Sequence, residues 1–210
     1  MMISSEEKAN TLIHLIPFAA TLALAWPLLR LAAEHTSEYP YALLGTVLFL
    51  VGMTLMFGSS SFYHAVSSPE LKRRLRIVDH IAIYVMIAGS YSVICLSALG
   101  GWIGWALFTF LWICVIAGTV GKLVAFGKHP NLSLVLYLAM GWAALLVLGP
   151  MWKSMSHLAF AWIVAEGVFY TVGAYFFHND EKHAYWHAIW HVFFVLGATS
   201  HTVATWIILS

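Results

Sequence analysis

The stretch YALLGTVLFLVGMTLMFGSSSFYH, residues 41–64, decides the class of fold to which this chain belongs. It contains no Asp, Glu, Lys or Arg, and its only ionisable side chains of physiological relevance come at the very end. A helix needs about 20 predominantly apolar residues to cross the hydrocarbon core of a bilayer. We therefore predict that this stretch is a transmembrane helix, and that it ends on an imidazole, His64.

The composition of the whole chain agrees with that of this stretch. Of the 210 residues, 61% are hydrophobic and 9% are charged. Soluble domains have about 25% charged residues, so this chain cannot cover a water-facing surface and belongs in lipid. The net charge is +1. The sequence contains no basic patch of the kind that binds nucleic acid. Cys95 and Cys114 lie in apolar runs and form neither a disulfide framework nor a metal-binding CxxC pattern.

Seven apolar runs follow one another along the chain, and polar or turn-rich segments separate them. The strict alternation expected of a transmembrane β-barrel is absent, and glycines within the runs indicate close helix packing. We predict an all-α membrane protein, a seven-transmembrane helix bundle that forms one domain over residues 1–210. The runs are about 12–33, 41–64, 79–99, 102–121, 131–150, 158–177 and 186–208.

The basic residues predict the orientation of the bundle. Short cytoplasmic loops carry an excess of Lys and Arg. With the N-terminus inside, only Arg30 and Lys153 lie outside, and the other basic residues lie inside or at the inner boundary. We therefore predict that the N-terminus is inside and the C-terminus outside.

Several polar side chains lie within the runs or at their ends. Such groups are costly in a membrane and usually face a bundle interior or a water-filled cavity. In the predicted topology, run 2 ends at the inner face, and runs 3 and 7 begin there. Three runs distant in sequence should thus bring polar groups to one depth. The polar residues are His14, Ser60, His64, Asp79, His80, Glu166, His187, His191 and His201.

Two histidines at the start of run 7 have the spacing of a metal site. His187 and His191 are four residues apart and project from one helical face, which suits two nitrogen ligands on one ion. His64 can supply a third imidazole at the same depth. Three imidazoles without a cysteine favour Zn2+ with an open coordination position. In the alternative interpretation, these histidines line the bundle and form hydrogen bonds with other helices.

Two further residues have both a structural and a catalytic interpretation. Ser60 lies one turn before His64 and could orient that imidazole or a water, or bond its own helix backbone. Asp79 could cap the third helix, pair with Arg76, or act as a general base or orienting carboxylate beside a metal ion. His201 lies about 15 Å deeper than His191 at 1.5 Å per residue, so it cannot share that ion. The role of Glu166, in the middle of run 6, stays open.

Two segments carry a resemblance to a known family. The stretches SSSFYHAVSSPELKRRLRIVDHIAIYVMIAGSYS (59–92) and VGAYFFHNDEKHAYWHAIWHVFFVLGATSHT (172–202) resemble the bacterial hemolysin III family, within the progestin and adipoQ receptor superfamily. The matching residues are Ser60-x-x-x-His64, Asp79 and His187-x-x-x-His191. The resemblance implies a seven-helix fold in a bacterial plasma membrane, with Zn2+ near the cytoplasmic face. It implies His64, His187 and His191 as the ligands, and Asp79 and Ser60 as the residues beside them.

The resemblance also implies a function, with an alternative. The first hypothesis is a zinc-dependent hydrolase that cleaves a membrane lipid amide of the ceramide type and serves lipid homeostasis. The second is a non-catalytic membrane sensor or regulator, in which zinc fastens helices 2 and 7 and a lipid is the ligand. Transport is disfavoured because no inverted repeat with broken helices is evident. Pore formation is disfavoured because no separate amphipathic segment is evident.

Overall fold

The fold is a bundle of long helices. A computed structural model describes residues 4–128 and 130–210. These residues are mostly helical and contain no strand, and seven of their helical segments are long and apolar enough to cross a membrane. The predicted fold class, an all-α membrane protein with seven transmembrane helices, is therefore confirmed.

Eight α-helices make up the seven spans, because the fifth span is interrupted. A π-helical segment, Cys95–Leu99, extends the third span, and a 3-10 segment, Trp142–Val147, divides the fifth. A 3-10 turn, Asp180–Lys182, precedes the last helix. The α-helices are α1 (Ser5–His35), α2 (Ala42–Ala65), α3 (Pro69–Ile94), α4 (Gly101–Ala125), α5 (Pro130–Gly141), α6 (Leu148–Ser154), α7 (His157–His178) and α8 (Trp186–Leu209).

The third helix begins ten residues before the apolar run that predicted it. Ser68 occupies the N-cap position and Pro69 the first turn, where proline is well tolerated. The basic segment that follows is helical because Lys and Arg are good helix formers, and Arg74 donates to Glu70 at 2.8 Å across one turn. Asp79 therefore lies inside the helix, and the interpretation of this residue as an N-cap is wrong.

Glycines let α2 and α3 approach closely. A Cβ atom at Gly45 would lie 2.6 Å from the Ser92 carbonyl oxygen, and one at Gly89 would lie 2.7 Å from the Leu48 carbonyl oxygen. Both distances are shorter than a van der Waals contact, and both involve backbone atoms that cannot move aside. The two helices therefore pack backbone to backbone at these positions, as the recurring glycines indicate.

Helix α3 is central in the bundle and α1 is peripheral. In the most apolar 18 residues of the third span, 83% of the residues are buried. In the corresponding part of the first span, only 17% are buried. Helix α1 nevertheless has one buried stripe, which consists of Asn10, His14, Thr21, Leu28 and Ala32. Three of these residues are polar, and two of them, Asn10 and His14, lie near the start of the helix, so α1 turns polar groups towards the interior at that end.

Five chain segments meet at one end of the bundle, which we call the site end. They are the start of α1, the end of α2, the start of α3, the turn after α7 and the start of α8. Lys72 of α3 donates to Glu7 of α1 at 2.5 Å, and the Tyr185 backbone N–H, next to α8, donates to Glu6 at 3.1 Å. The prediction that this end faces the cytoplasm stays a prediction.

Candidate metal centre

Three histidines converge at the site end. His64 lies in the last turn of α2, and His187 and His191 lie in the first turns of α8. One ligand atom from each lies within 4.8 Å of the others. His64 is 2% and His191 3% exposed, whereas His187 is half-buried. The runs that were predicted to bring imidazoles to one depth do so, and the three side chains could bind a metal ion.

In two of these rings, a carboxylate lies within hydrogen-bonding distance of one ring nitrogen. The Nδ1 atom of His64 lies 2.6 Å from Oε2 of Glu7, and the Nδ1 atom of His187 lies 2.6 Å from Oδ2 of Asp180. An ionised carboxylate only accepts hydrogen bonds, so each Nδ1 is the donor. The Nε2 atoms of His64 and His187 are thereby left with their lone pairs available.

One pair of histidines in the cluster has the spacing of two ligands on a zinc ion. Zn–N distances are about 2.0–2.1 Å in a tetrahedral site, which separates two nitrogen ligands by roughly 3.3 Å. The Nε2 atoms of His64 and His191 are 3.1 Å apart, which is also the length of a hydrogen bond between the two rings, as the bundle-lining alternative predicts. Three imidazoles are a ligand set that suits zinc and leaves one coordination position open. The identity of the ion stays a prediction.

Ser60 and Asp79 lie buried beside the cluster. Ser60 is fully buried and Asp79 is 8% exposed. The Ser60 hydroxyl lies close to hydrogen-bonding distance of the Asp79 carboxyl, and Asp79 also interacts electrostatically with His187. Within residues 4–128 and 130–210, neither Ser60 Oγ nor Asp79 Oδ1 has a hydrogen-bond partner. Buried polar atoms nearly always have one, so the two side chains can bond each other, a water or a substrate.

The neighbours of Ser60 behave differently. Ser59 donates to the carbonyl oxygen of Met56 at 3.3 Å, and Ser61 donates to that of Phe57 at 2.7 Å. These are the backbone bonds that serines in membrane helices commonly make. In the described chain, the hydroxyl of Ser60 makes no such bond. The structural interpretation of Ser60 therefore lacks the contact on which it depends, and its catalytic role stays a prediction.

His14 belongs to the site, although its position in the sequence predicts no role for it there. Its ring is fully buried, and it meets the ring of His191 edge-on with 4.2 Å between centroids. Both of its nitrogens, together with Oδ1 of Asn10 and Nδ1 of His191, are buried without a partner in the part of the chain that the structure describes. Buried water typically bridges such groups. The site thus contains a polar interior shared by α1, α2, α3 and α8.

Sequence reasoning also missed the two carboxylates, Glu7 and Asp180. Both lie in polar segments that flank the apolar runs, and such segments read as loops. The predicted topology could have pointed to both carboxylates, because the start of run 1 and the connection between runs 6 and 7 lie at the same end of the bundle as His64. His14 is seven residues after Glu7 and therefore shares its helical face.

Glu166 and His201 form a separate pair deeper in the bundle. Nδ1 of His201 lies 2.7 Å from Oε2 of Glu166, and both residues line an apolar cavity between α3, α5, α7 and α8. Trp190 and Phe194, which flank His191 on α8, line the same cavity. The prediction that His201 lies outside the metal cluster agrees with its absence from the three-histidine group.

Fold and site together define the class of this protein. It is a multi-pass integral membrane protein with seven helical spans and three histidines that could hold a metal ion at one end of the bundle. The sequence family described as "Haemolysin-III related" matches residues 2–202. The chain therefore belongs to the hemolysin III family, as its resemblance predicts.

Known relatives support this assignment. "Hemolysin-3" of Bacillus cereus is 33% identical over 197 residues, which cover 93% of this chain and 87% of that protein. "Hemolysin-3 homolog" of Bacillus subtilis (strain 168) is 33% identical over 200 residues, or 95% and 92%. The human "Monocyte to macrophage differentiation factor" is 30% identical over 169 residues, or 74% and 66%. The seven apolar helices and the two Bacillus relatives are consistent with a location in a bacterial plasma membrane.

Proposed function

We propose that this protein is a zinc-dependent hydrolase that cleaves an amide bond in a membrane lipid and thereby serves lipid homeostasis. One observation carries the proposal. Three imidazoles share a buried site with a carboxylate and a hydroxyl that have polar atoms left unbonded. Structural zinc sites usually have four protein ligands, whereas catalytic sites have three and keep an open position.

In this proposal, each residue of the site has a defined task. His64, His187 and His191 hold the ion, which when bound supplies a Lewis acid for the amide carbonyl. Asp79 accepts a proton from the attacking water through its free Oδ1 and returns it to the leaving nitrogen. Ser60 donates a hydrogen bond to Asp79 or to the substrate. The products are a carboxylic acid and an amine.

The neighbouring cavity supports a lipid as the substrate. Its walls are apolar, and they include Trp190 and Phe194, the neighbours of His191 on α8. At the other side, the cavity reaches Leu145 and Val164, which are exposed on the surface of the bundle. A lipid could therefore enter sideways from the bilayer with its acyl chain in this cavity. A water-soluble amide would gain nothing from such walls, because burial of apolar surface drives this kind of binding.

The test measures fatty acid release from N-acyl lipids. Purified protein in lipid nanodiscs, loaded with Zn2+, is incubated with a panel of ceramides and other lipid amides, and free fatty acid is quantified by mass spectrometry. Asp79→Asn should reduce the rate about 10²- to 10⁴-fold, the usual contribution of a general base, and retain zinc. Ser60→Ala should also lower the rate. Ser59→Ala is its matched control and should leave the rate unchanged, since the Ser59 hydroxyl already bonds its own helix. No fatty acid from any lipid amide with zinc-loaded wild type would refute the proposal.

The alternative is a sensor or regulator in which zinc has a structural role. It is supported by the origin of the ligands, because His64 and His191 belong to helices that are far apart in sequence. An ion between them would fasten α2 to α8. In that case, zinc-loaded protein would release no fatty acid, and Asp79→Asn would leave the physiological effect of the protein in cells unchanged.

A further inference from the structure

We infer that Glu7 and Asp180 are positioning residues of the metal centre, each of which holds one histidine ligand in the tautomer and orientation that metal binding requires. The inference rests on the metal site of the proposed function, and it adds two chain segments to that site. These segments are the first turn of α1 and the turn between α7 and α8.

Glu7 is held between two partners. Its Oε2 atom lies 2.6 Å from Nδ1 of His64, a length typical of charge-assisted hydrogen bonds. Its Oε1 atom accepts from Nζ of Lys72 at 2.5 Å. His64 comes from α2 and Lys72 from α3, so the carboxylate cannot rotate away from the imidazole without losing the ammonium group. Glu7 therefore fixes the plane of the His64 ring.

Asp180 lies in the turn before α8 and contacts a histidine of that helix. Its Oδ2 atom lies 2.6 Å from Nδ1 of His187, seven residues further along the chain. Between them, Tyr185 has a left-handed backbone conformation with φ of 64°, which a non-glycine residue rarely adopts. The Tyr185 N–H donates to Glu6 at 3.1 Å. The first turn of α1 thus also contacts the chain reversal that brings Asp180 to His187.

The two hydrogen bonds select the metal-binding form of each imidazole. A neutral imidazole carries one N–H, and the other nitrogen has the lone pair. Donation from Nδ1 to a carboxylate places the lone pair on Nε2, and metal-binding histidines commonly have such a second partner. His191 differs, because its Nδ1 has no partner among the described residues and the ring of His14 packs against it. Two ligands of the three are therefore oriented by carboxylates.

The experiment measures zinc affinity separately from turnover. Full-length wild type, Glu7→Gln and Asp180→Asn are stripped of metal in detergent and titrated with Zn2+ against a competing chelator. Loss of such a partner should weaken zinc binding about 10- to 100-fold. Lys72→Met, which frees one side of Glu7, should give a smaller loss. Glu181→Gln changes an exposed acid in the same turn as Asp180, and Glu38→Gln changes an exposed acid after α1; both should bind zinc as wild type does.

A second measurement distinguishes positioning from ordinary structural support. The melting temperatures of the metal-free variants should lie within a few degrees of those of the two controls, because a lost hydrogen bond to a charged group costs only about 1.5–3 kcal/mol. Wild-type zinc affinity in Glu7→Gln and Asp180→Asn would overturn the inference, as would an affinity loss accompanied by an equally large loss of metal-free stability. Wild type that binds no zinc would refute both proposals. Wild type that binds zinc without turnover would refute only the hydrolase.

Discussion

At the scale of single residues, the metal centre depends on which ring nitrogen each histidine offers. In His64 and His187, Nδ1 faces a carboxylate at 2.6 Å. His64 Nε2 then lies 3.1 Å from Nε2 of His191. We expect His64→Ala, His187→Ala and His191→Ala each to lose the bound metal, since two imidazoles hold zinc poorly compared with three. Inductively coupled plasma mass spectrometry on purified protein should give about one zinc per wild-type chain and little in each variant.

The matched control for these histidine variants is His178→Ala. His178 ends α7 at the site end but lies outside the cluster. Zinc content equal to that of wild type is expected. If wild type that is folded and prepared without chelator contained no metal, the histidines would be a polar lining of the bundle and nothing more.

Ser60 allows a second residue-scale prediction. Ser60→Ala should lower the hydrolytic rate, because it removes the free hydroxyl beside Asp79. Ser61→Ala should leave the rate within about twofold, because that hydroxyl is already bonded to Phe57 and a single backbone bond contributes only about 1 kcal/mol. Initial rates of fatty acid release check both. Equal rates in the two variants would remove Ser60 from the catalytic group.

The residues of the site were predictable in part. His64, His187 and His191 could be brought together from the sequence because antiparallel helices alternate in direction, which places the end of α2 and the start of α8 at the same end of the bundle. Glu7 and Asp180 were missed because their contacts depend on where each side chain lies within a polar turn. Helix periodicity does not specify that. The free hydroxyl of Ser60 was not predictable either, since all three serines of that stretch could bond the backbone.

At the scale of helices, the contact between α2 and α3 positions His64 relative to Asp79. We expect Gly89→Ala to destabilise the protein by about 1–3 kcal/mol, the usual cost of overpacking, because its Cβ would meet the backbone of Leu48. Gly121→Ala on α4 is the control, because its Cβ would meet nothing within 4 Å. Alanine favours helix there by about 1 kcal/mol, so that variant should be as stable as wild type or more so.

Thermal unfolding in detergent, followed by tryptophan fluorescence, checks this pair. A Gly89→Ala protein as stable as Gly121→Ala would mean that the two helices can separate slightly without cost. In that case the distance between His64 and Asp79 would not depend on the glycine contact.

The helices themselves followed closely from the apolar runs, with one exception. The sequence of the first turns of α3 predicts a polar break, because Lys and Arg interrupt the apolar run. Apolar length measures only the part of a helix that lies in lipid, and an amphiphilic turn can extend beyond it. The difference matters because it places Asp79 inside the bundle instead of at a helix start.

At the scale of the whole molecule, the candidate centre connects the first, second, third and last helices. A ligand that binds only the folded state stabilises it by about 2.7 kcal/mol at 100 times its Kd. We therefore expect a chelator to lower the melting temperature of wild type by several degrees and to leave His64→Ala unchanged. Differential scanning fluorimetry with and without chelator measures this. An unchanged wild-type melting temperature would mean that the ion does not fasten the bundle.

The distribution of the centre along the chain has a consequence for biosynthesis. Membrane helices are inserted in order as the ribosome extends the chain, so Glu7, His14 and His64 enter the bilayer long before α8 exists. Until Trp186–Leu209 has been inserted, two of the three histidine ligands are missing and the site cannot bind an ion. Metal acquisition would then have to wait for α8, and a metallated molecule would be one in which the helices that carry all three histidines had been inserted.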